Sequence, residues 1–154
     1  MIAMGIDSST SCTGWAILDT EEYKVIDSGY IKPSAKLNAI QKIIYITKEL
    51  KSIYREYEPE YINIEEVVVL RNAQTQRVLT ALLYYIVIEF TKYDAIIKTV
   101  RPTEWRKGKI KGKARAELKA NCIKYVKNKY KISATEDEAD AIVIAEYNAE
   151  KVTL

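Results

Sequence analysis

The spacing of apolar and polar positions changes several times along the chain, and each change marks an element. Met1 to Asp7, Gly14 to Leu18 and Lys24 to Ile31 are short, apolar or β-branched, and divided by turn formers, which predicts a β-meander. Asp19 to Glu22 make the second connection, and Pro33 closes the section. From Leu37 to Tyr57 the apolar residues Leu37, Ile40, Ile44, Ile46, Leu50, Ile53 and Tyr57 recur mostly every three or four positions, predicting an amphipathic helix that Pro59 stops. Tyr61 to Leu70, rich in Ile and Val, reads as a strand in the middle of a sheet. A helix is predicted from Asn72 to Thr91, buried through Val78, Leu79, Leu82, Leu83, Ile86 and Phe90, and then a strand from Ala95 to Val100 stopped by Pro102.

The glycines and basic residues of Thr103 to Gly112 read as a mobile loop. A basic helix is expected from Lys113 to Lys131 with Leu118, Cys122, Ile123 and Val126 buried. The last helix starts near Thr135, where Thr135 and Glu138 have capping-box spacing, and runs through Ile142, Ile144 and Tyr147. A meander followed by alternating helices and strands implies an α/β fold of three layers, a mixed five-stranded sheet covered on both faces. One domain spanning residues 1–154 is expected, since 48% hydrophobic content suits a single core of ordinary size.

Composition narrows the chemistry. No apolar run approaches the roughly 20 residues of a membrane span, so a cytoplasmic protein with no membrane partner is expected. Cys12 and Cys122 lie far apart without CxxC spacing and read as reduced packing residues. There is no histidine, which removes Ser-His-Asp and Cys-His catalysis and HExxH zinc sites. Net charge is only +3, yet thirteen Lys and Arg against Glu104 and Glu117 lie between Lys98 and Lys131, leaving that segment at +11 and the remainder at −8. Such asymmetry indicates a basic face for a polyanion beside an acidic part that can hold cations.

The acidic part contains four notable carboxylates. Asp7 ends the first strand after Gly5 and Ile6, and strand alternation puts it on the face of Gly5. Glu65 and Glu66 interrupt a hydrophobic strand, where an unpaired carboxylate costs several kcal/mol to bury. Glu65 shares its face with Asn63, as Asp7 does with Gly5, and is preferred to Glu66. Asp137 and Asp140 are three residues apart on one face of the last helix, Asp140 within the run from Ala139 to Ala145. If these four acids converge, their like charges call for Mg²⁺ or Mn²⁺, which suit all-oxygen ligands, and two such ions can drive an in-line phosphoryl displacement. A nucleic acid then fits both the acids and the basic segment, with Trp105 in the basic loop a candidate for stacking on a base.

Taken together, Gly5-Ile6-Asp7-Ser8 with Thr13-Gly14-Trp15, Ile64-Glu65-Glu66-Val67 with Asn72, and Asp137-Glu138-Ala139-Asp140-Ala141 resemble the RuvC family of Holliday junction resolvases, within the RNase H-like superfamily. The resemblance covers nearly the whole chain, and Arg101-Pro102-Thr103-Glu104-Trp105-Arg106 looks closest to compact bacteriophage members. It implies an RNase H-like nuclease domain working as a homodimer on four-way DNA junctions in a bacterial or phage-infected cell, with two Mg²⁺ ions per site on Asp7, Glu65, Asp137 and Asp140. Lys113 occupies the place of a family lysine near the scissile phosphate. Arg71, Arg101, Trp105, Arg106, Lys107, Lys109, Lys111, Lys113 and Arg115 become DNA-contact candidates, and Tyr84, Tyr85 and Ile88 dimer-contact candidates. The family's aromatic shortly after the strand glutamate is replaced here by Val67, Val68, Val69 and Leu70, which points to branched DNA beyond junctions. Two other readings compete: an actin-like or sugar-kinase-like ATP-binding domain, from Gly5 to Thr10, for which the chain lacks a second lobe, and a non-catalytic or RNA-directed binding protein of the same fold. No nucleotide cofactor is expected.

Overall fold

The computed structural model describes residues 1–148; the last six residues of the single domain expected over 1–154 lie outside the described part. The meander forms as predicted, with β1 Ile2–Asp7, β2 Thr13–Asp19 and β3 Lys24–Ile31. Strands β4 Tyr61–Glu65 and β5 Ile96–Val100 add to it in the order β3-β2-β1-β4-β5. β1 is antiparallel to β2 and parallel to β4, and β4 is parallel to β5. The sheet is therefore mixed and five-stranded, as the element order required.

Helices cover both faces. α1 Ala39–Tyr57 and α2 Ala73–Phe90 pack on one face, where Met4, Ile6, Ile62 and Ile64 meet Ile46, Leu50, Leu82, Leu83, Ile86 and Phe90 in the first core. On the other face α4 Arg115–Tyr130 and α5 Glu136–Ala145 build a second core from Ala16, Val100, Cys122, Val126 and the apolar residues of α5. The caps are those the side chains permit: Asn38 accepts from Gln41 N, which starts α1 two residues after the predicted Leu37, and Thr135 accepts from Glu138 N in a capping box that opens α5.

Two expectations fail locally. The fourth strand stops at Glu65 instead of Leu70, because Ile6 is the last residue of β1 paired with β4 and Val100 the last of β5. Beyond that row only Glu66 N finds the sheet, donating to Val100 O at 2.8 Å, and the apolar run leaves with Val68 and Val69 exposed. The predicted loop after Pro102 instead begins with a one-turn helix, α3 Pro102–Trp105, since Pro suits a first helical position and Glu104 accepts from Arg101 N.

Candidate active site

Two glycines decide where the site forms. A Cβ on Gly5 would sit 2.0 Å from Ala141 O and one on Gly14 2.0 Å from Asp137 O, so α5 lies backbone-to-backbone across β1 and β2. Asn63, opposite Gly5 in the parallel register, donates from Nδ2 to Ile144 O at 3.1 Å and fixes the far end of the helix. α5 thus runs back along β1 and lays its first turns beside Asp7. Glu65 ends the adjacent strand on the same face, opposite Val100 of the second core. Asp7, Glu65, Asp137 and Asp140 all line one cleft of about 670 Å³, together with Ser8, Cys12, Arg106, Lys113, Arg115 and Lys119.

The acids are electrostatically frustrated. Burial, then Glu65, Asp140 and Asp137, push the Asp7 carboxyl well above the usual aspartate range. Burial also raises Glu65, against the pull of the Trp105 N–H and Arg106. It raises Asp140, opposed by the Cys122 thiol, Lys119 and Arg106. Neighbouring carboxylates that raise one another's pKa release that repulsion when a cation enters. The all-oxygen donor set fits Mg²⁺ or Mn²⁺ rather than a thiolate-seeking metal. Among the described residues no three acidic or thiol side chains form a ready-made cage for an ion.

The structure brings Arg106, Lys113 and Arg115 to the cleft and leaves Arg71, Arg101, Lys107 and Lys111 exposed elsewhere on the surface. Arg101 Nε lies 3.4 Å from Glu66 Oε2, so the second glutamate turns to the surface, where it edges the cleft. Two candidates are corrected. Trp105 is 1% exposed and cannot stack on a base; its ring sits in the second core under the Arg106 guanidinium, 4.4 Å away, and its Nε1 donates to Glu65 Oε2 at 2.8 Å. Lys109 is turned inward, its Nζ 2.9 Å from Glu146 Oε2. Cys12 is a further correction: it lines the cleft beside Asp137 instead of packing inside, and burial with that neighbour lifts its thiol to about 11.

Sequence reasoning missed Lys119 and Glu146. Lys119 lines the cleft among the acids, with Nζ 3.2 Å from Glu136 Oε2. Its signal was available, because Lys119, Cys122 and Val126 share the buried stripe of α4, where a lysine needs an acidic partner. Glu146 is buried at the end of α5, reached by Lys109, by Lys129 at 3.1 Å and by the hydroxyls of Tyr125 and Tyr130. Burial opposes its charge, but Lys109, Tyr130 and Lys129 prevail and hold the carboxyl below the usual range.

Comparison with known proteins bears on the family and the fold. The family model described as crossover junction endodeoxyribonuclease RuvC matches residues 3–147. This chain belongs to the RuvC family. A RuvC of Rickettsia bellii is 31% identical over 149 residues, spanning 94% of each chain. Thermus thermophilus RuvC, solved in complex with a Holliday junction substrate, superposes with a TM-score of 0.82 at 16% identity, over 99% of this chain and 98% of that one. Fowlpox virus resolvase, solved with Holliday junction DNA, covers 100% of both chains with a TM-score of 0.68 at 14% identity. At such identities the two structures speak for the fold, the three-layer α/β arrangement expected from the element order and named RNase H-like by the resemblance. RuvC proteins are metal-dependent nucleases. No helix among the described residues is long and apolar enough to cross a membrane.

Proposed function

We propose that this protein is an endodeoxyribonuclease that resolves four-way DNA junctions as a homodimer, using two Mg²⁺ ions per site, with Mn²⁺ able to replace them. The observation that carries this reading is the convergence of Asp7, Glu65, Asp137 and Asp140 on one cleft rimmed by Arg106, Lys113, Arg115 and Lys119. Asp7 and Glu65, on adjacent strand ends, would hold the ions with Asp137 and Asp140 from α5. Ions held there would lower the cost of forming hydroxide from water and neutralise charge on the departing oxygen. The cleft's cations would grip the phosphate on either side of the scissile bond, with Lys119 joining Lys113 as a candidate partner of the reacting group. A water oxygen would bond to phosphorus as the phosphorus bond to the leaving sugar oxygen breaks, the water giving up one proton and the leaving oxygen taking one up. A dimer would present two such clefts to opposing strands, so that paired nicks leave two linear duplexes.

Forks and flaps are further substrates on this reading. Val68 lines the cleft and the neighbouring Val69 is 88% exposed, so the tip beside Glu65 is apolar without a ring to stack at a junction centre. The test is a labelled four-way junction incubated with protein and Mg²⁺ beside fork, flap and RNA-DNA hybrid. Paired nicking of the junction is expected, and Asp7→Asn should lower it by three orders of magnitude or more. Intact junctions with wild-type protein, or full activity in Asp7→Asn, would refute the proposal.

A further inference from the structure

The buried tryptophan beside Glu65 serves no purpose in the scheme above. Indole has one hydrogen-bond donor and no acceptor, so a buried Trp Nε1 has to find an oxygen. Here that oxygen belongs to Glu65, at 2.8 Å, while the ring itself lies in the second core. The ring itself is held from three directions: it is 1% exposed among Val100, Ile110 and Cys122, the Arg106 guanidinium stacks on it at 4.4 Å, and α3 fixes its backbone through Glu104 and Arg101. Without that bond the Glu65 carboxylate would have no hydrogen bond among the described residues to fix its orientation. The indole bond engages Oε2 and leaves Oε1 without a protein donor among the described residues. α3 also sorts the two glutamates, since Arg101 at its start draws Glu66 outward while Trp105 at its end holds Glu65 inward.

We infer that Trp105 is a positioning residue whose indole N–H fixes the Glu65 carboxylate on Oε2, so that Oε1 is presented to a divalent cation in the cleft. The inference rests on the proposed metal-dependent function. A neutral donor suits this task, because it orients the carboxylate without cancelling the charge the cation needs. Arg106, stacked on the outer face of the ring and lining the cleft, ties the same tryptophan to the surface where phosphate would bind.

The experiment compares wild type with Trp105→Phe, which keeps an aromatic ring and loses the donor, and with protein carrying benzothienylalanine at position 105, which keeps the indole shape and replaces N–H by sulfur. Mn²⁺ binding is titrated without DNA by the paramagnetic signal of the free ion, and junction affinity is measured in EDTA. Loss of the donor is expected to weaken Mn²⁺ binding about 10-fold or more, the usual cost of removing a partner that orients a metal ligand. Junction affinity in EDTA should stay within about twofold, and nicking should recover as Mg²⁺ is raised. Unchanged Mn²⁺ affinity in a variant that melts cooperatively overturns the inference. If Trp105→Phe fails to fold, the benzothienyl protein decides by the same criterion. A wild type that binds no Mn²⁺ at all refutes the metal site itself, a result distinct from equal binding by wild type and variant.

Discussion

Asp7 couples the chemistry of the cleft to the stability of the protein. Its carboxyl is held well above the usual range by burial and by Glu65, Asp140 and Asp137, so the folded state binds the proton more tightly than the unfolded chain does. For such a group the folded state has its full advantage below the unfolded pKa and loses it as pH rises through the folded one. The metal-free protein should therefore gain stability as pH falls from neutral, until the ordinary carboxylate range is reached, where the unfolded chain takes up protons that Glu146, held low by Lys109, Tyr130 and Lys129, and Glu89, held at about 2 by Lys51 and Lys92, do not take up in the folded state. Asp7→Asn removes the repulsion and should raise Tm in EDTA at pH 7, each kcal/mol relieved being worth roughly 2–4 °C in a domain of this size. The gain should shrink at pH 5 and reverse when Mg²⁺ stabilises only the wild type. Calorimetry across those conditions checks this, and a Tm lowered in EDTA at pH 7 would contradict it.

Among the elements, α5 is the one on which the site depends. Its start was legible, because Thr135 and Glu138 cap it in the structure as their spacing requires. Its docking was not, since nothing local in Gly5 or Gly14 says which backbone will approach. Replacing Gly5 by Ala puts a methyl group 2.0 Å from Ala141 O and 2.6 Å from Ala145 N, both backbone atoms with no rotamer to escape into. Overpacking of this kind commonly costs about 1–3 kcal/mol, and Gly5→Ala should reach the upper end or exceed it. The displaced helix would carry Asp137 and Asp140 away from Asp7, so activity should fall even where the variant folds. Urea denaturation with parallel nicking assays checks both, and an unchanged midpoint would show that the helix yields without strain. The apolar run after Glu65 teaches the opposite lesson: Val67 to Leu70 have strand propensity, but β1 and β5 offer no further partners.

Over the whole molecule, the basic segment and the acids meet as their charges predicted, but only part of that segment reaches the cleft. Lys109 and Lys129 are spent on Glu146, which pins the chain between α3 and α4 from inside. The opposite layer is covered by α2, whose Tyr84, Tyr85 and Ile88 are exposed beside a groove lined by Thr80 and Ala81. On the dimer proposed above, Tyr84→Glu with Ile88→Glu should raise the dimer dissociation constant about 30-fold or more, as loss of buried apolar anchors does. Sedimentation at micromolar protein would then show monomers that still nick single strands but no longer cut both. A dimer of unchanged stability would remove α2 from the interface.

The sequence by itself determined the type and order of the five strands and the four long helices, the face shared by Asp7 with Gly5 and by Glu65 with Asn63, and the chemistry open to a chain without histidine. These follow from periodicity, alternation and donor type, which are local or compositional. Only the tertiary structure decided that Trp105 turns inward to Glu65, that Lys109 serves Glu146, and which acids Lys119, on the buried stripe of α4, would meet. Such side chains choose between solvent and a buried partner, and the choice depends on groups 17 to 40 residues away in the chain, brought near by the sheet and α5. The convergence of the four carboxylates lies between the two cases: their positions were readable, and the close approach of one helix to two glycines joined them.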